Sequence, residues 1–275
     1  MPSPGNENDG RVALYDASYG RLSERLYAEI RRETWGEDLG QASWLTTRDL
    51  AEWLPLLRLS ADSTFLDVAC GSGGIACRIA ERTGARVVGV DLHPAAIAAA
   101  GARPLAAGAA PRARFLVADG SRPLLFAPGE FDAVVCIDAV NHLADRAEVF
   151  REWRRVLRPG GRLLFTDPVV LTGAVDAREI AARSSVGTFL FTVEGVNQRL
   201  LEACGFGLLE VRNETAAVKA IADRWRSARE RCATDLRRLE GDGTFEGQQE
   251  FLRIAALLAG EKRLSRMLYV TERIG

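Results

Sequence analysis

A chain of 275 residues, 47% hydrophobic and 27% charged, has the composition of an ordinary globular protein. Such a chain buries roughly 70–75% of its unfolded surface without covalent staples. A formal net charge of −1 gives no electrostatic basis for gripping nucleic acid or an anionic membrane. No apolar run approaches the ~20 residues of a membrane span.

The opening MPSPGNENDG has neither the basic nor the apolar region of a secretion signal and reads as a disordered tail over 1–10. Two helical stretches are predicted within 11–59, forming an N-terminal lid. In the second, Leu50, Trp53, Leu54 and Leu57 give one apolar stripe, and Pro55 predicts a distorted last turn. WGEDLGQASWLTT between the two reads as a loop.

From Thr64 the pattern alternates between short apolar runs and helical segments. The runs are TFLDVA, RVVGVDL, ARFLVAD, FDAVVCID and GRLLFTD, and the helices fall near 73–82, 94–100 and 145–157. Pro159-Gly160-Gly161 ends one helix and turns into the next strand. A helix near Glu194–Cys204 and a strand near Gly205–Val211 complete a core over 60–213. Residues 214–263 read as an inserted hairpin of two helices split at EGDGTFEG, and RMLYVTER as the last strand, within 264–275. The expected fold class is α/β: a Rossmann-like, doubly wound, mostly parallel seven-stranded sheet beneath a helical lid.

The five cysteines form no C-x-x-C pair and their number is odd. Free thiols in a reducing cytosol are expected, with no metal, and a cytoplasmic location goes with them. Only two lysines stand against abundant arginine and alanine, a bias of GC-rich, bacterial codon usage rather than of chemistry.

TFLDVACGSGGIACRIA holds the chemical question. Gly71, Gly73 and Ala76 satisfy G-x-G-x-x-G/A, and Asp91 follows Gly71 by twenty positions, as in nicotinamide enzymes. Asp67 argues for a different ligand. Beside a pyrophosphate it adds like charge, at about 4 kcal/mol for unit charges ~4 Å apart at an effective dielectric of 20. Beside an ammonium the sign reverses. S-adenosylmethionine carries an ammonium and a sulfonium and no phosphate. Asp91 then suits the ribose hydroxyls and Asp119 the adenine amino group, while Asp138 ends the fourth strand. All four acids fall at carboxyl ends of predicted strands, where open α/β sheets bind ligands.

LDVACGSGG, GVDL, ADG, FDAVVCIDAVNHL and RVLRPGGRLLFTD, in this order, resemble the motifs of class I S-adenosylmethionine-dependent methyltransferases. The resemblance covers residues 60–170, and the flanks look most like small-molecule enzymes of the phosphoethanolamine and glycine/sarcosine kind. It implies a cofactor site of Trp44, Asp67, Ala69, Gly71, Gly73, Asp91, Leu92, Asp119, Gly120 and Ile137. It also implies that Asp138 and His142 lie beside the transferred methyl group, His142 as a base for an acceptor that arrives protonated. His93, before Pro94, reads as a cap or a neighbour of the ribose.

The chain departs from the phosphobase enzymes in offering no tyrosine within AARSSVGTFLFTVEG, which disfavours a charged phosphobase. Arg183, Ser184 and Ser185, walled by Phe189 and Phe191, are candidates for a less charged acceptor. Trp35, Trp44, Tyr15 and Tyr19 are assigned to the lid. The expected partner is a small-molecule methyl acceptor on nitrogen, oxygen or activated carbon, in secondary metabolism, with no nucleic acid and no membrane; the oligomeric state is left open. The alternative is a relative that binds the cofactor and catalyses a non-methylating reaction such as a cyclisation.

Overall fold

The computed structural model describes residues 19–21, 24–103 and 112–275. The expected tail over 1–10, Tyr15, and residues 104–111 of the alanine-rich stretch lie outside the described residues.

Short runs rich in valine, leucine and phenylalanine become strands, and those inside the sheet are buried on both faces, as parallel sheets require. They are β1 (Thr64–Val68), β2 (Arg86–Asp91), β3 (Ala113–Val117), β4 (Phe131–Cys136), β5 (Leu157–Leu171), β6 (Thr192–Val193), β7 (Phe206–Asn213) and β8 (Leu264–Arg273). The order is β3-β2-β1-β4-β5-β8-β7, with the two-residue β6 pairing β5 off this path. All pairs are parallel except those of β8, which runs antiparallel to β5 and to β7. The sheet is the Rossmann-like, mostly parallel one expected, and β6 is the strand the sequence did not announce.

Ten α-helices are found among the described residues: α1 (Arg25–Trp35), α2 (Thr47–Trp53), α3 (Gly74–Thr83), α4 (Pro94–Gly101), α5 (Arg146–Val156), α6 (Ala177–Arg183), α7 (Val196–Ala203), α8 (Thr215–Arg231), α9 (Ala233–Glu240) and α10 (Asp242–Gly260). Thr46 and Asp49 start α2 with a reciprocal capping box, and Pro55 converts its end into a 3-10 turn over Leu54–Leu57. On one face of the sheet, Val149, Phe150 and Trp153 of α5 pack with Leu66, Val134 and Phe165. On the other, Trp53, Leu57 and Ile79 pack with Phe65, Val135 and Leu268. A third cluster joins Trp35 and Trp44 to Ile221 of α8 and Phe251 and Leu252 of α10.

Two boundaries differ from expectation. Leu157 already pairs with Phe131 before the Arg158–Gly161 excursion, so the proline-glycine run sits inside β5 as an irregularity. Further on, Pro168 coincides with a register shift against β8, where its missing N–H breaks no ladder. The expected two-helix hairpin is three helices. The first breaks at Cys232, and only Gly241 (φ 83°, ψ 156°) interrupts the chain before α10. Gly243 and Gly247 are helical, at about 1 kcal/mol each relative to alanine, because burial of Phe245 and Phe251 holds the helix around them.

Candidate active site

A cleft of about 870 Å³ opens along the carboxyl ends of β1 to β4, within the size range of small-molecule sites. Of the expected residues it is lined by Ala69, Gly71, Asp91, Leu92, Asp119, Gly120, Ile137, Asp138 and His142. Trp44, Asp67 and Gly73 are not among its lining residues.

The loop after β1 is shaped by contacts that exclude side chains. Ala69 takes φ 58°, a left-handed value that strains a residue with a Cβ. Gly71 and Gly73 take φ 54° and 72°. A Cβ on Gly73 would come 2.8 Å from Phe115 Cζ, and one on Gly74 would fall 1.8 Å from the carbonyl oxygen of Leu39. The second contact reveals how the cleft is roofed. Leu39 and Gly40, from the loop between α1 and α2, lie directly on the glycine turn. Ser72 Oγ donates to Gly40 O at 3.1 Å and Arg103 Nη2 to Leu39 O at 2.9 Å.

The acids have different environments. Asp91 Oδ2 accepts from Gly71 N at 2.8 Å and Oδ1 from His93 N at 2.9 Å, tying the β2 end to the glycine loop. Asp119, partly exposed, accepts from Ser121 N at 2.8 Å. Asp67 is 3% exposed, and its carboxylate accepts no hydrogen bond from any described residue. Burial first, and then the nearby Asp91 charge, push its pKa up to about 8. The folded protein thus keeps a proton that the unfolded chain releases near 3.8. Stability therefore declines as pH rises from about 4 to about 8 and levels off above. Replacing Asp67 by asparagine is expected to remove that slope. Urea midpoints at about pH 5 and about pH 8.5 would be compared in both proteins, and parallel slopes would contradict the assignment.

Asp138 (φ 54°) follows β4 and is held on both oxygens. Oδ1 accepts from Thr166 Oγ1 and Arg266 Nε, each at 2.7 Å; Oδ2 accepts from Trp44 N at 2.7 Å and Arg266 Nη2 at 3.0 Å. Among the described residues no hydrogen bond joins Asp138 to His142.

His142 ends a 3-10 turn over Val140–His142. Its Nδ1 lies 2.7 Å from Thr188 O, its Nε2 lies 3.2 Å from Asn141 Nδ2, and Phe189 meets the ring edge-on at 4.7 Å. A carbonyl only accepts, so Nδ1 carries the proton and Nε2 is the basic atom of the neutral ring. Burial chiefly, helped by the charges of Arg183 and His93, lowers the His142 pKa; the Thr188 carbonyl and Asp167 act against this.

Arg183, Ser184 and Ser185 do not line the cleft; Gly187, Thr188 and Leu190 do. The Arg183 guanidinium is buried 4.6 Å from the Phe251 ring centroid, 5.0 Å from Phe189 and 5.4 Å from Trp44. The three rings give the guanidinium cation–π contacts there. The 187–192 segment is anchored from below instead. Arg146 donates to Asp167 at 2.5 Å and to Leu190 O at 2.7 Å, and Leu190 N donates to Asn141 O at 2.8 Å.

Sequence reasoning missed Arg266, Thr166 and Asn141. An arginine inside the apolar run RMLYV was a usable signal, since a charge in a buried strand demands a buried partner. Asn141 adjoins His142, but nothing in the sequence aims its amide at the ring.

Residues 66–165 match the methyltransferase domain family. Over this span the chain is similar to S-adenosylmethionine-dependent methyltransferases, a family whose motifs it carries. It is 34% identical over 180 residues to methyltransferase GfsG of Streptomyces halstedii, covering 64% of this chain and 63% of that protein. It is 32% identical over 150 residues to 27-O-demethylrifamycin SV methyltransferase of Amycolatopsis mediterranei (strain S699), covering 51% and 55%. In both cases the match spans less than two thirds of the relative's length. Among solved structures, phosphoethanolamine N-methyltransferase 2 of Haemonchus contortus, in complex with phosphomonomethylethanolamine and S-adenosylhomocysteine, shares the fold. The TM-score is 0.76 at 20% identity, over 95% of this chain and 61% of that one.

The residues present fit S-adenosylmethionine as a cofactor. The glycine turn leaves room only for a backbone cradle, and Asp67 is a buried acid whose ionised form a neighbouring cation would favour. Among the described residues, no helix is long and apolar enough to cross a membrane.

Proposed function

We propose that this methyltransferase moves a methyl group from S-adenosylmethionine to a hydroxyl oxygen of a small molecule, with His142 as the general base. The observation that carries the reading is the state of His142. Its Nδ1–H is fixed by Thr188 O and burial favours the neutral ring, so Nε2 is the basic atom of a histidine that lines the cleft. Supporting it, one relative is named for an O-methyl transfer.

The bound cofactor supplies an electrophilic methyl group on a sulfonium. Asp67, Ala69, Gly71 and Gly73 would hold its amino-acid end, and Asp91, Leu92, Asp119, Gly120 and Ile137 its nucleoside. His142 would take the acceptor's hydroxyl proton onto Nε2. Asp138, its four hydrogen bonds already made, holds the Trp44 backbone and the loop before α2 over the site. The cluster of Trp35, Trp44, Ile221 and Phe251 excludes water above. Most of the rate gain comes from holding oxygen and methyl carbon at attack distance. The acceptor is read as a secondary metabolite, the setting as a bacterial cytoplasm.

The test is incubation of the purified protein with methyl-labelled cofactor and hydroxylated small molecules from a cell extract. The expected product has gained one CH₂ and lost one free hydroxyl. Label confined to macromolecules would overturn the small-molecule part. A rearranged product of unchanged mass, with the cofactor intact, would favour a cyclase-like relative.

A further inference from the structure

Asn141 is fully buried beside His142, and its two amide atoms are treated unequally. Nδ2 lies 3.2 Å from His142 Nε2, while Oδ1 finds no hydrogen-bond partner among the described residues. A buried carbonyl oxygen left idle is costly unless something uses it part of the time. The ring beside it changes what it needs during turnover. With Nδ1–H committed to Thr188 O, neutral Nε2 needs a donor and protonated Nε2 needs an acceptor. A carboxamide is the uncharged side chain that supplies both by turning over about its last bond.

We propose that Asn141 is a positioning residue: its amide donates to Nε2 of the resting ring and turns its oxygen to Nε2–H once His142 has taken the acceptor's proton. This rests on the base assignment made above. Before transfer, the incoming hydroxyl displaces the Nδ2 contact, whose 3.2 Å length marks it as weak. After transfer the O–H bond is broken, the proton is on Nε2, and the Oδ1···H–Nε2 bond keeps it from returning to the product ether. Hydrogen bonds to a charged partner are stronger than those to a neutral one, so the net effect of the amide is to favour the imidazolium. The other charges that face the ring, Arg183 and His93 against protonation and Asp167 for it, are the same in every variant below.

The chain has two histidines, so His142 is followed directly by NMR titration of its ring carbon-bound proton, with no cofactor or acceptor present. Asn141→Ala is expected to lower its pKa by roughly half to one pH unit. Asn141→Asp, nearly isosteric and therefore the safer fold, is expected to raise it by about one to three. In the methyl-transfer assay the acid limb of kcat/KM should move in the same order. A His142 titration unaltered in both folded variants would overturn the proposal and leave the base assignment standing. An NMR order as stated with one shared acid limb for all three proteins would overturn the base assignment and Asn141's part in turnover with it.

Discussion

Replacing His142 by glutamine is expected to lower kcat about 10²–10⁴-fold, the usual contribution of a positioned general base, while S-adenosylhomocysteine binds as before. Glutamine keeps a donor for Thr188 O and fills similar space, so the loss reports proton transfer rather than collapse of the 187–192 segment. The pH profile supplies the sharper half. A base works unprotonated, and burial holds the His142 pKa below the ordinary value of about 6.5. The wild-type rate should therefore be flat through neutrality and fall only as pH drops below that value. In His142→Gln this acid limb should vanish, leaving a low and flat rate. If the variant keeps the limb, the titrating group is another one; if it keeps most of the rate, the acceptor arrives already deprotonated and needs no base.

Much of the arrangement behind that prediction was legible in the sequence because it follows local periodicity. Runs such as FDAVVCID and TFLDVA have one reading as buried parallel strands, and the strands fix where their carboxyl ends meet. The order of the runs therefore puts Asp67, Asp91, Asp119 and Asp138 at one edge of the sheet. What the carboxylates do there was less legible, because hydrogen-bond partners come from distant segments. Asp138 and His142 are one turn apart and look like a pair, yet Asp138 is claimed by Arg266, 128 residues away, and by the Trp44 backbone, 94 residues away. Arg183 reads as a polar wall residue and ends inside an aromatic box built from three other segments. EGDGTFEG reads as a turn because glycine propensity is local, whereas the burial that keeps Phe245 and Phe251 helical is tertiary.

The Arg266–Asp138 pair should have the largest effect on stability. Arg266 is fully buried, stacks 5.1 Å from the Trp53 ring centroid, and has its backbone N–H on Thr215 Oγ1 at 3.0 Å. It therefore ties β8 and the start of α8 to the carboxyl end of β4. Removing one partner of such a pair leaves a buried charge without compensation, at about 3–5 kcal/mol. For a chain of this size, Arg266→Met should lower Tm by roughly 6–20 °C. The double variant Arg266→Met with Asp138→Asn should recover much of this. The amide carbonyl that replaces the carboxylate would still accept from Trp44 N or Thr166 Oγ1, and no charge would remain to be solvated. The coupling energy from the full cycle separates the two possible meanings of the geometry. A large positive recovery says that the carboxylate is there for the arginine and, through it, for the closed loop before α2. Additive losses would mean that Asp138 is stabilised without Arg266, which would free its carboxylate for the reacting centre after all. Acceptor KM should rise in Arg266→Met while the acid limb set by His142 stays in place, because loosening the Trp44 segment changes how the acceptor is held without touching the group that takes its proton.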